Sequence, residues 1–150
     1  MGHTYANLLV HVIFSTKGRA PLIRPEWRQR LHEYLAGVAR NEFGSALRIG
    51  STENHLHGLL SLNSDVSTAE AIRKWKSLSS KWVHETFPRE SIFAWQTGYG
   101  AFSVSKSNAE ADARYIDQQE EHHRTTTFEE EFIAFLIRHG IEYDPKYVFD

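Results

Sequence analysis

Two long stretches with helical spacing, set among short apolar runs, restrict this chain more than any other feature of its sequence. Ala6 to Phe14 (ANLLVHVIF) is short, apolar and β-branched, and reads as a buried strand. A loop from Thr16 to Arg24 follows, and Pro25 suits the first turn of a helix. Trp27, Leu31, Tyr34, Leu35 and Val38 then recur at helical spacing as far as Asn41. Ser45 to Gly50 and Asn54 to Leu62 read as two further strands, separated by a turn at Thr52 and Glu53. Ser67 or Thr68 can cap a second long helix reaching Phe87, with Ile72, Trp75, Leu78, Ser79, Trp82 and Val83 as its buried stripe. Ile92 to Ser105 reads as a strand kinked at Gly98 and Gly100. Ser107 or Asn108 can cap a helix running through Glu121, and a last helix spans Phe128 to Arg138 and stops at Gly140. The order β-α-β-β-α-β-α-α predicts an α+β fold. It is a ferredoxin-like split βαβ with a central antiparallel sheet and additional C-terminal helices.

That fold hosts many functions, so activity must be read from side chains. With 150 residues the chain is expected to form one domain. It has no cysteine, which removes disulfides, thiolate metal sites and cysteine nucleophiles together. A metal would need His, Asp, Glu, Asn or Gln. The net charge of −2 means that a nucleic acid would have to be held by a local positive patch. Met1 to Thr16 has neither a basic start nor a long apolar stretch, so a cytoplasmic protein with no membrane span is expected.

Two local patterns carry chemistry. In Asn54-His55-Leu56-His57-Gly58 the two histidines are two apart on a strand, so both rings project from one face. Leu56, Leu60 and Leu62 then enter the core. Paired imidazoles are natural ligands for a divalent metal, although an isolated HxH is common on strands that bind nothing. In the helix ADARYIDQQEE, Tyr115 and Gln119 are four apart and share a face, while Ala109, Ala113 and Ile116 can seat the helix on the sheet. A lone helical tyrosine is most often a packing residue.

Together these patterns resemble a known family. The HxH strand, the aromatic segment WQTGYGAFSVS, the YxxxQ helix, the opening HVIFSTKGR and the closing RHGIEYDPKYVF look like the single-tyrosine HUH transposases of the insertion-sequence-200/605 group. The resemblance spans essentially the whole chain. It implies that His55, His57 and Gln119 hold Mg2+ or Mn2+, with no small-molecule cofactor, and that Tyr115 is the nucleophile. It further implies single-stranded DNA bearing hairpins as substrate and a homodimer as the working form. Whether the tyrosine helix serves its own subunit or its partner stays open. Two alternatives are a domesticated relative that processes repeat palindromes, and a catalytically silent nucleic-acid-binding module on the same fold. Replication-initiator and relaxase nucleases share HxH but usually have larger chains.

Lys17, Arg19, Arg73, Lys74, Lys76 and Lys81 are the candidate DNA contacts. Trp75, Trp82 and Trp95 are expected in the core. Glu53 and Asn54 are candidates to orient an imidazole, and His11 can border the site. His122 and His123 are not expected to act as ligands, because successive helical positions diverge by about 100°.

Overall fold

The computed structural model describes residues 2–150. Only Met1, the first residue of the segment read above for a leader, lies outside them. Four strands, β1 (Leu9–Ser15), β2 (Gly44–Ser51), β3 (His55–Leu62) and β4 (Gly100–Val104), form one sheet in the order β2-β3-β1-β4. Every neighbouring pair is antiparallel. This is the order and connectivity expected of a split βαβ pattern. Five helices complete the fold: α1 (Pro25–Glu42), α2 (Thr68–Thr86), α3 (Ala109–Asp117), the single turn α4 (Gln119–His122) and α5 (Phe128–Arg138).

Alternation along the central strands sorts side chains into two layers. Val12 and Phe14 of β1 join Leu56, Leu60 and Leu62 of β3 in a core closed by Leu31 and Leu35 of α1 and by Ile72 and Trp75 of α2. Trp75 is fully buried and donates its indole N–H to the Leu35 carbonyl at 2.9 Å. The opposite face of the sheet carries α3 and α5. Ala113 and Ile116 of α3 sit with Leu9 and Leu59, and Phe128, Phe132, Phe135 and Leu136 of α5 cover Ile13 and Phe102. The helix starts follow their caps. Ser67 accepts from Glu70 N at 3.1 Å, and Thr127 and Glu130 form a reciprocal capping box on α5. Trp75 and Trp95 are buried, whereas Trp82 is half-buried and stacks on Tyr34.

Two segments depart from the expected elements. Ile92 to Tyr99 does not continue β4. Phe93 and Trp95 turn into the α1–α2 core, leaving only an isolated bridge between Thr16 and Trp95. Backbone groups here are satisfied by side chains: the Lys76 ammonium donates to the carbonyls of Gln96, Thr97 and Gly98, and Gln96 Oε1 accepts from Ser15 N. A second strand partner is therefore unnecessary. The tyrosine helix is also interrupted, because Gln118 leaves helical geometry (φ −99, ψ 20) between α3 and α4.

The tyrosine helix depends on one glycine. A Cβ at Gly50 of β2 would overlap the Ile116 carbonyl oxygen and come 2.8 Å from Ile116 Cγ2. Gly50→Ala is therefore expected to lift α3 from the sheet at a cost of about 1–3 kcal/mol, read as a lower urea midpoint. The α1–α2 core, on the other face, should keep the rest of the chain folded.

Candidate functional site

Register brings the first histidines together. His57 on β3 lies opposite Ile13 and His55 opposite Ser15, so both rings project to the α3–α5 side with His11 of β1. Both are almost wholly buried, with ring centroids 5.2 Å apart. Gln119, buried at the start of α4, reaches the same point, and its Oε1 lies 3.2 Å from His55 Nε2. The other half of that amide donates to the Tyr115 carbonyl at 3.3 Å, which turns Oε1 toward the histidines.

Sequence reasoning missed the residue at the centre of the cluster. Glu131 of α5 is 3% exposed, and its Oε1 lies 3.0 Å from His57 Nε2, 3.4 Å from His55 Nε2 and 3.0 Å from His123 Nε2. One ligand atom from each of His55, His57, His123 and Glu131 lies within 4.8 Å of all the others. The other carboxylate oxygen of Glu131 accepts a hydrogen bond from the Tyr115 hydroxyl, with His122 Nε2 at 3.4 Å. A signal for Glu131 was present. It lies between Phe128, Phe132 and Phe135 on the apolar stripe of an amphipathic helix, where a carboxylate needs partners. His122 and His123 stand at the end of α4, and both rings turn to Glu131, with Nε2 at 3.4 and 3.0 Å from its oxygens.

Hydrogen-bond partners assign the imidazole tautomers. Thr52 Oγ1 donates to Asn54 Oδ1, and both oxygens lie 2.8 Å from His55 Nδ1. Nδ1 of His55 is thus the donor, and its Nε2 presents a lone pair to Gln119 Oε1 and Glu131 Oε1. Asn54 therefore contacts the ring it was expected to orient. On the other side, His11 Nδ1 donates to Asp112 Oδ1 at 2.7 Å and His11 Nε2 meets His57 Nδ1 at 2.7 Å. When both rings are neutral, His57 Nδ1 donates to His11, and His57 Nε2 also turns its lone pair to Glu131. Asp112 is one turn before Tyr115, so this Asp112–His11–His57 chain links the tyrosine helix to β3.

The electrostatics follow from burial. Desolvation lowers His57 to about 3, against the opposing pull of Glu131, so the ring is neutral. Burial alone would raise Glu131, but its hydrogen bond with His123 leads the opposing causes and the carboxyl is held below its usual range. Burial, then the adjacent Glu131, raises the Tyr115 phenol well above its ordinary value. The resting nucleophile candidate is a phenol beside a carboxylate. A cleft of about 310 Å³ opens next to it, lined by Phe102, Asn108, Asp112, Tyr115, Arg138 and His139 among others.

The candidate DNA contacts divide by layer. Arg73, Lys74, Lys76 and Lys81 are on α2, across the sheet from Tyr115. Lys76 is occupied by its three carbonyls, and burial lowers its ammonium to about 8. Arg73 pairs with Glu70, Lys74 with Glu42 and Lys81 with Glu85. Lys17 and Arg19 form a short 3-10 turn after β1, where Arg19 meets Glu129 of α5 at 3.5 Å and lies over the Phe149 ring. Arg19 thereby stands on the α5 side of the sheet, with Lys17 two residues before it on the same turn. Among the described residues, no helix is long and apolar enough to cross a membrane.

Comparison with known proteins agrees with this architecture. A candidate transposase from Deinococcus radiodurans R1 superposes with a TM-score of 0.61 at 21% identity, covering 79% of this chain and 96% of that one. A REP-associated tyrosine transposase bound to a REP hairpin superposes with a TM-score of 0.57 at 15% identity, covering 82% and 73%. Both share the fold. No curated protein matches the sequence. The model of the family described as IS200-like transposase matches residues 4–119, a span that holds the sheet, both histidines of the HxH strand, Tyr115 and Gln119. The chain belongs to the IS200-like transposase family.

Proposed function

We propose that this chain is a metal-dependent transposase of single-stranded DNA that cuts and rejoins hairpin-bearing ends through Tyr115. The observation that carries the reading is the convergence of His55 Nε2, His57 Nε2 and Gln119 Oε1 on one buried point beside the Tyr115 hydroxyl. With the tautomers assigned above, these atoms turn lone pairs toward one another, an arrangement that a cation relieves. The donor set fits a divalent metal, with His55, His57 and Gln119 as its holders. A bound Mg2+ or Mn2+ would polarise a non-bridging phosphate oxygen and offset the charge that builds there.

The chain's own residues supply the rest. Asn54 and Thr52 fix the His55 ring, and Asp112 through His11 fixes His57. The Tyr115 oxygen attacks phosphorus, its bond to phosphorus forms, and the bond from phosphorus to the 3′ oxygen breaks. The phenol proton has an acceptor in Glu131, and the departing 3′ oxygen takes a proton from water. The resulting 5′-phosphotyrosine keeps the energy of the broken linkage, so attack by a 3′-hydroxyl of another strand reverses the step without ATP. Joining two ends calls for both to be held together, which a homodimer with one site per copy provides. Arg138 and His139, in the cleft beside Tyr115, are placed to meet the strand's phosphates.

Labelled single-stranded hairpin DNA with Mg2+ or Mn2+ should yield a covalent protein–DNA adduct that a chelator suppresses. Absence of an adduct with every hairpin of a library, at either metal, overturns the reading. Position also predicts salt dependence. Replacing Lys17 and Arg19 together by Ala should flatten the plot of log affinity against log salt by about 1.4, two single-strand phosphate contacts. Replacing Arg73, Lys74 and Lys81, on the far layer, should leave that slope unchanged. The opposite ranking would route the strand over α2.

A further inference from the structure

Glu131 lies beyond residues 4–119, the part matched by the family, and arrives from α5. We infer that Glu131 is itself a ligand of the metal, so that this chain holds the ion with two imidazoles, an amide and a carboxylate. This inference rests on the metal reading above and adds a residue to it.

Three observations point this way. Position comes first: Glu131 Oε1 lies 3.0 Å from His57 Nε2 and 3.4 Å from His55 Nε2, on the side to which both lone pairs turn. Chemistry comes second. Mg2+ and Mn2+ are hard ions that favour anionic oxygen, whereas the two imidazoles are borderline donors and the amide oxygen carries no charge. The carboxylate is the anionic donor this ligand set lacks. The third observation is how firmly it is held. His123 Nε2 lies 3.0 Å from Oε1, and the Thr127–Glu130 capping box fixes the start of α5 one turn earlier. Because Oε2 accepts from the Tyr115 hydroxyl, a single carboxylate spans the ion and the nucleophile. It thereby sets the distance between them.

Mn2+ binding to the full chain, without DNA, tests the assignment. Free Mn2+ is followed by its electron paramagnetic resonance signal. The wild-type chain should bind one ion, His55→Ala should lose it, and Glu131→Gln should bind at least about tenfold more weakly. Glutamine keeps the shape and removes the anion. Zn2+ affinity, carried mainly by the imidazoles, should fall less than Mn2+ affinity in Glu131→Gln. Glu131→Asp, which keeps the charge, should lie between wild type and Glu131→Gln. It stands in if the glutamine variant loses its metal-free circular dichroism spectrum, and binding equal to wild type then counts against the assignment. If His55→Ala loses Mn2+ while a folded Glu131→Gln keeps wild-type affinity, Glu131 is not a ligand and the metal reading stands. If the wild-type chain binds no Mn2+, the metal reading and this inference fall together.

Discussion

Tyr115→Phe should abolish the covalent adduct, a loss of at least about a thousandfold in its rate of formation, while hairpin affinity stays within about twofold. Only one oxygen is removed. The ring keeps its packing against His57 and Phe135, where the centroids lie 5.9 Å away in each case. The cost to folding is modest: Glu131 loses one hydrogen bond, worth about 1–3 kcal/mol for a bond to a charged group, and keeps its histidines. Adduct formation by gel shift under denaturing conditions, binding by fluorescence anisotropy and melting by circular dichroism separate the three effects. A phenylalanine variant that still forms adduct would identify another nucleophile and remove Tyr115 from its role. A variant that loses binding as well would make the hydroxyl a DNA contact rather than the attacking group.

Mixing a His55→Ala chain with a Tyr115→Phe chain should restore no activity. The tyrosine helix lies against the strands of its own chain, with the Tyr115 hydroxyl on Glu131 and Glu131 on His57. Gly50 lets α3 sit this close, and the Asp112–His11–His57 chain ties it to β3. Each site is then built within one copy, and every site in the mixture lacks one component. If the helix instead crosses to a partner, free exchange of subunits would restore about a quarter of the wild-type sites. Co-expression of the two variants followed by the adduct assay distinguishes these outcomes, with sedimentation reporting whether dimers are present. Recovery of adduct would overturn the within-chain arrangement.

Much of the framework was legible in the residues. The apolar runs and helical stripes predicted four strands and the long helices in their observed order, because local periodicity fixes which face of an element is buried. The shared face of His55 and His57 follows from strand alternation alone, as does the entry of Leu56, Leu60 and Leu62 into the core. Ala113 and Ile116 marked the seat of α3. The stretch from Ile92 to Tyr99 misled. Its aromatic spacing is that of a strand, but Phe93 and Trp95 are drawn into the α1–α2 core and Lys76 satisfies the carbonyls that a ladder would have used.

What the sequence determined by itself is the set of elements, their order and the chemistry available on each. Which side chains meet was decided only by tertiary packing. Glu131 stands 74 residues from His57, and nothing in local spacing relates them. They meet because the phenylalanines of α5 bury its face against β1 and β4 and carry the carboxylate in with them. Helical geometry breaks at Gln118, and Gln119 and His123, four apart on the turn that follows, both reach the buried point. The α2 cations were readable as charges, but only the layering shows that the sheet stands between them and Tyr115. Periodicity is a property of neighbours along the chain, whereas a site is a property of neighbours in space. The second follows from the first only where hydrophobic burial leaves one way to stack the layers.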